Sequence, residues 1–464
     1  MVAVSPDSPS FMQRLHSDEY FPEPLPARVT RAVAHAGSMA EKALDRSDHR
    51  FWAGRQGTAA GLIALNHEFN QEFFRVPREA VDDLEAADEA LGGKQTVIDV
   101  QTHYLADRRE ANLVTEGLLA EYRSVMPSWW RGLDDLTSLN FAEYLRCVFT
   151  ESETAVAVLT SAPGQSPTRM LFNEEMAGTR RLLEELTPAR RMLNHAVVHP
   201  TDPREIELMS TWAEQLKPVG WKVYTLGQLL EPGLWAEGAQ WMLDDEQTGV
   251  RFLERVRELD IKLVCAHKGL SRLVNAGSPR DVGPAAKAFP DINFVIYHSG
   301  YEWPVHGMIA DEAEYSEETA HVGTNRLVKS LTDNGLGPGC NVYAELGTTW
   351  FALLRRPRDA AHVLGKLLVA LGEDNVIWGT DSIWYGPTQP LIDAFRAFQI
   401  PLDMRQRFGY PELTPLIKEK ILSLNAARLY SIDLDEVRSS AESDSIAWIK
   451  EAVEFYRKNG NPTL

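Results

Sequence analysis

The chain has 464 residues, of which 44% are hydrophobic and 24% charged, so it can bury a large core without disulfide or metal staples. A formal net charge of −19 argues against a general nucleic-acid binder and against a protein that lies on anionic membranes. The cysteines Cys147, Cys265 and Cys340 show no zinc-type spacing and cannot all pair with one another, so a reducing compartment, the cytoplasm by default, is expected.

The opening segment, MVAVSPDSPSFMQRLHSDEY, lacks the basic region and apolar core of a secretory leader. The apolar stretch Thr58 to Leu65 is too short to cross a bilayer. Residues 1–95 read as a helical N-terminal extension. AVAHAGSMAEKALDR and PREAVDDLEAADEALGG have helical spacing, and the second stops at Gly92-Gly93. The extension is expected to pack on the main domain or on a second copy, and a homo-oligomer is expected.

From Thr96 the texture changes, and short apolar runs alternate with amphipathic stretches. The runs are 96–103, 154–161, 192–199, 219–225, 262–267, 293–298, 341–346 and 375–381. Strands apolar on both faces and separated by helices indicate a parallel sheet. Eight such units predict an α/β fold, a (β/α)8 TIM barrel over residues 96–433, with 434–464 as a C-terminal helix packed on it. Long insertions follow strands one, four and six, at 104–150, 226–250 and 299–335. All three fall on the face where barrel active sites are built, as walls or a lid.

Polar residues close the apolar runs. Asp99, Gln101 and His103 alternate along the first strand and so share one side. The fifth run ends in His267, the sixth in His298, the seventh in Glu345 and the eighth in Asp381, while the fourth carries Lys222. Strand ends of a barrel converge, and three imidazoles with a carboxylate at one mouth suit a divalent metal. Lys222 would meet a substrate carboxylate or pair with a neighbouring acid; Glu345 would orient a ligand or serve the structure. His195 and His199 read as structural, and Cys265 as buried filler. The remaining histidines, His16, His35, His49, His67, His306, His321 and His362, read as surface residues, with His306 a weaker pocket candidate. Trp129, Trp130, Trp235, Trp241, Tyr301, Trp303, Trp350, Trp384 and Tyr385 point either to a pocket for an aromatic or cyclic molecule or to core packing.

In this order IDVQTH, VCAHKG, VIYHSG and WGTDSIWYG resemble the amidohydrolase-2 branch of the amidohydrolase superfamily, which includes the aminocarboxymuconate-semialdehyde decarboxylase-like enzymes. KILSLNAARLYSID resembles that family's C-terminal helix, and the likeness covers residues 96–433. The resemblance implies one divalent metal ion, zinc first, with manganese or iron also accepted. It implies His103, His267 and Asp381 as ligands, Asp381 also as base, and His298 as a catalytic or orienting residue. Gln101 stands where the family's first histidine would be, and some aromatic-acid decarboxylases of the branch carry glutamate there. A neutral amide makes Gln101 a weaker fourth ligand. Lys222, Glu345, Trp303 and Trp384 are expected to contact a small-molecule substrate. The implied activity is metal-dependent hydrolysis of a small aromatic or cyclic compound. Non-oxidative decarboxylation of an aromatic or unsaturated carboxylic acid is the alternative, and a non-catalytic ligand-binding barrel is a third reading of another class.

Overall fold

The computed structural model describes residues 8–13, 25–43, 49–107, 139–162, 169–227, 229–231, 234–235, 239–269, 275–302, 314–443 and 447–463. His16, Trp129, Trp130, Trp303 and His306 lie outside the described residues, as do the side chains of His49 and Trp235.

All eight expected strands are present, the third in two pieces. They are β1 (Val97–Thr102), β2 (Thr154–Leu159), β3 (Met192–Asn194), β4 (Ala196–Val198), β5 (Trp221–Tyr224), β8 (Leu263–His267), β9 (Asn293–Tyr297), β10 (Val342–Glu345) and β11 (Val376–Ile377). Between β5 and β8 an antiparallel pair, β6 (Leu229–Glu231) with β7 (Leu234–Trp235), occupies the insertion after the fourth strand. The apolar β-branched runs are buried on both faces, as a sheet covered by helices requires.

Parallel pairing runs β1-β2-β3 in one sheet and β4-β5-β8-β9-β10-β11 in the other. The two join at His195, whose N–H donates to Leu159 O at 3.0 Å before Ala196 N–H donates to Gly220 O at 3.1 Å. They join again at the far ends. Val100 N–H donates to Trp378 O at 3.1 Å, Asp381 N–H to Gln101 O at 2.9 Å and His103 N–H to Ser382 O at 2.8 Å. The strands therefore follow one another round a ring, and β11 is short because its continuation, Trp378 to Ser382, leaves β10 and pairs with β1.

The connecting helices follow their sequence signals. In Pro203–Leu216, Asp202 accepts from Arg204 N–H at 3.0 Å, Pro203 sits in the first turn, and Lys217 ends the helix at φ 48°. Met209, Trp212 and Leu216, three and four residues apart, form its buried face. In the N-terminal region the segment 78–91 breaks in two. Asp83 accepts from Glu85 N–H at 2.8 Å and starts the helix Leu84–Leu91 after a short 3-10 turn. The helix Arg55–Phe69 packs against Ala27–Ala43 and Gln389–Ala397, and its apolar residues share one core with the ring. At the other end, Leu434–Ser443 and Ala447–Asn459 are helical, the latter packing on Phe141–Leu145 and Asn173–Leu186. His362 is a correction. It is fully buried within Pro357–Leu371, a helix covered on nearly every side, and its Nδ1 lies 2.9 Å from Tyr410 Oη. No helix among the described residues is long and apolar enough to cross a membrane.

Candidate metal centre

The end of β1 is tied to the segment that carries Asp381. The Asp99 carboxylate accepts from Gln101 N–H at 3.2 Å, Thr380 N–H at 3.0 Å and Thr380 Oγ1 at 2.5 Å. Burial pushes its pKa up to about 7 against those hydrogen bonds. Gln101 Nε2 donates to Asp381 Oδ1 at 2.7 Å, and Thr348 Oγ1 donates to Asp381 Oδ2. Because an ionised carboxylate only accepts, Tyr385 Oη, 2.9 Å from Thr348 Oγ1, is the donor in that contact. His103 Nε2 lies 3.2 Å from Asp381 Oδ1 and accepts from Trp384 Nε1 at 2.7 Å.

The ends of β8, β9 and β10 form the other side. The His267 ring stacks on Tyr224 with centroids 5.0 Å apart and meets His298 edge-on at 4.9 Å. His298 Nδ1 donates to Gly347 O at 2.9 Å, which makes Nε2 the basic nitrogen of the neutral ring. Glu345 does not present an open carboxylate. Oε2 accepts from His298 N–H at 3.0 Å and Oε1 from Gly347 N–H at 2.5 Å, and burial raises its pKa. Two glycines make room for it, since a Cβ at Gly379 would overlap Glu345 Oε1 and one at Gly347 would overlap Gln101 Oε1.

This mouth is built from unusual backbone. His298, Ser299, Thr348 and Asp381 have φ of 57°, 53°, 54° and 59°. The left-handed region costs an L-residue roughly 1–2 kcal/mol, and more for a β-branched one such as Thr348. Such strain is characteristic of functional sites. Thr348 and Ser299 escaped the sequence reading; the only signal was a run of threonines directly after the seventh strand.

The other expected site residues divide. Lys222 is fully buried, its ammonium 3.2 Å from the Tyr297 ring centroid and 4.6 Å from that of Tyr224. Trp241 and Trp350 donate their N–H groups to backbone carbonyls, and Tyr301 is fully buried. One layer further in, His195 Nε2 lies 3.2 Å from Tyr430 Oη and 3.5 Å from Cys265 Sγ, and its Nδ1 lies 3.4 Å from Tyr297 Oη. Burial, with Lys222 close by, pulls His195 down to about 3, and burial pushes the Cys265 thiol up to about 12. Both are neutral and unreactive near pH 7. His199 is held by Arg169 and Glu205.

No group of three or more His, Cys, Asp or Glu side chains able to hold a metal ion is formed among the described residues. The donor chemistry nonetheless fits a cation. An indole N–H only donates, so His103 Nε2 bears a lone pair, and it faces another acceptor, Asp381 Oδ1, at 3.2 Å. Gln101 Oε1 is buried with no hydrogen-bond partner among the described residues. An unpartnered buried amide oxygen beside a carboxylate and an imidazole is an environment that a divalent ion stabilises.

A family model described as Amidohydrolase matches residues 98–432. The chain belongs to this amidohydrolase family. It is accordingly an enzyme of the amidohydrolase superfamily. No curated protein matches it. Among solved structures, an uncharacterised TIM-barrel protein from Bordetella bronchiseptica is 15% identical, with 74% of this chain and 99% of that one covered and a TM-score of 0.47. A 2,6-dihydroxybenzoate decarboxylase from Rhizobium is 14% identical, with 73% and 99% covered and a TM-score of 0.38. A dihydroxybenzoic acid decarboxylase from Polaromonas sp. JS666, with bound manganese and the inhibitor 2-nitroresorcinol, is 13% identical, with 73% and 97% covered and a TM-score of 0.41.

Proposed function

We propose that this amidohydrolase is a metal-dependent hydrolase of a small aromatic or cyclic substrate, working at the mouth formed by the ends of β1, β8, β9, β10 and β11. One observation carries the reading: the buried amide oxygen of Gln101 has no hydrogen-bond partner among the described residues, beside the Asp381 carboxylate and the His103 imidazole at the strand ends. The ligands would be drawn from His103, His267, Asp381 and Gln101, with zinc proposed first and manganese or iron suited to the same mixed set. What a divalent ion supplies when bound there is Lewis acidity toward a substrate oxygen or a water.

The chain's own groups supply the rest. Asp381 is the base: Thr348 donates to its Oδ2 and Tyr385 donates to Thr348, which holds the carboxylate in place with its oxygens as acceptors. His298, fixed through Nδ1 on Gly347, offers Nε2 for proton transfer to or from the leaving group. Tyr224 and Trp384 supply aromatic surface beside His267 and His103.

Hydrolysis is preferred to decarboxylation on the position of Lys222. The cation expected to meet a decarboxylase substrate's carboxylate is Lys222, and its ammonium packs over the rings of Tyr297 and Tyr224. The test is elemental analysis of protein purified without added metal, followed by incubation with amides, lactones and aromatic acids while carbon dioxide is monitored. Stoichiometric metal with hydrolysis lost in Asp381→Asn supports the proposal. Carbon dioxide release moves the reaction to the decarboxylase alternative. Absence of metal, with every activity unchanged in Asp381→Asn, overturns it.

A further inference from the structure

We infer that Arg355 is the cation of a carboxylate-binding site, enclosed where the N-terminal segment 8–13 lies on the helix Thr349–Leu354. The site is separate from the reaction at the strand ends and does not depend on a metal there.

Arg355 closes the helix that begins directly after Thr348, and only 3% of it is exposed. A guanidinium carries five N–H donors and cannot shed its proton, so a buried one needs both acceptors and a counter-charge. Its Nη1 donates to Gln13 O at 2.9 Å, a neutral partner. Nε and Nη2, which together form one edge of the group, are buried with no hydrogen-bond partner among the described residues. The next residue, Arg356, meets Asp359 at 3.0 Å, yet no carboxylate among the described residues pairs with Arg355. The unpartnered edge is the one with which arginine holds both oxygens of a carboxylate through two parallel hydrogen bonds.

The surroundings suit an anion of single charge. The Phe351 ring centroid lies 5.2 Å from the guanidinium carbon and attracts the cation without neutralising it. The turn Ser10–Met12, just before Gln13, packs on the same helix, and Ser10 Oγ is likewise buried with no partner among the described residues. A hydroxyl can donate to an oxyanion. One guanidinium matches a monoanion, whereas a dianion such as phosphate would exchange one unpaired buried charge for another. Phe351 in turn stacks on Tyr385 with centroids 3.8 Å apart, and Tyr385 reaches Asp381 through Thr348. Two ring layers therefore separate Arg355 from Asp381, and the carboxylate held by Arg355 is not the reacting group.

The test uses the full chain with sodium acetate, sodium benzoate, sodium phosphate and sodium chloride at equal ionic strength. The Arg355 Nε–H resonance is identified in a nitrogen-15 spectrum by its absence in Arg355→Lys. Acetate should move it downfield to saturation, and about 100 mM should raise the melting temperature by about 2 °C over chloride. Arg355→Lys should bind acetate roughly tenfold more weakly or worse, because an ammonium lacks the fork. Arg355→Met should lose the thermal response; where that variant fails to fold, the wild-type resonance and Arg355→Lys decide. Tighter binding of benzoate than of acetate identifies the carboxylate as a remote acid group of an aromatic substrate. The reverse order identifies a separate small acid, and either order places the carboxylate on Arg355. An Arg355 resonance that no salt moves, or moves equally in chloride, overturns the inference. So does wild-type acetate affinity in Arg355→Lys, and tighter binding of phosphate than of either carboxylate.

Discussion

Two histidine-bearing clusters lie inside the ring of strands, one layer apart along β5 and β8, where Lys222 and Cys265 precede Tyr224 and His267. In the inner cluster His195, Cys265, Tyr297 and Tyr430 contact one another within hydrogen-bonding or sulfur-contact distance. None of these residues is at positive φ, and burial holds the imidazole and the thiol neutral. The mouth, with His103, His267 and His298, is equally buried, yet four of its residues are at positive φ. Burial and residue type are thus poor guides to function inside this ring. Backbone strain is the feature that differs, and it costs stability that a merely structural cluster would not need.

The largest effect expected from this contrast is at Asp381. Asp381→Asn should lower kcat/KM roughly a thousandfold on whichever substrate is found, because the base is removed while Gln101 and Thr348 keep its place. Steady-state kinetics checks this, and a loss under tenfold would leave Asp381 as scaffolding. Next is Gly379→Ala. The added methyl overlaps Glu345 Oε1, and the variant should lose about 3 kcal/mol of stability in urea titrations. An unchanged midpoint would mean that Glu345 is not locked onto His298 and Gly347. Smaller again is Thr348→Val, which removes the hydroxyl between Tyr385 and Asp381 at constant shape. Activity should fall about tenfold and return in Thr348→Ser, as expected for a lost hydrogen bond that holds the base.

The weakest expected effect belongs to the inner cluster. His195 is held near 3 against an unfolded value of about 6.5, so the folded protein binds fewer protons than the unfolded chain between those limits. Its contribution is complete above about pH 6.5 and is lost as pH falls toward 3. Chemical denaturation at pH 7.5 and pH 5.5 should therefore show a stability drop that is about 1 kcal/mol smaller in His195→Gln, with metal affinity untouched. A change in metal affinity in that variant would erase the distinction between the two layers.

Much of the fold was legible because each strand is a short apolar run bounded by helix signals. Pro203–Leu216 and Pro357–Leu371 each start on a proline in the first turn, a start signal that the sequence carries. The split of the third strand at His195 was not legible, nor was the break at Asp83, because each depends on which neighbour takes a backbone N–H. His362 was misread for a related reason. A histidine within a helix carries no mark of being covered on all sides until Tyr410 is brought against it.

The candidate site divides in the same manner. By itself the sequence determined that Asp99, Gln101 and His103 share a strand face and that His267, His298, Glu345 and Asp381 stand at strand ends, because the strand period of two and the parallel order dictate it. Only the tertiary structure decided what those residues do with their hydrogen bonds. Lys222 is spent on tyrosine rings, Glu345 on two backbone amides and His103 on the indole of Trp384. Each outcome turns on directional contacts between segments up to 281 residues apart, and local sequence pattern encodes no such directions.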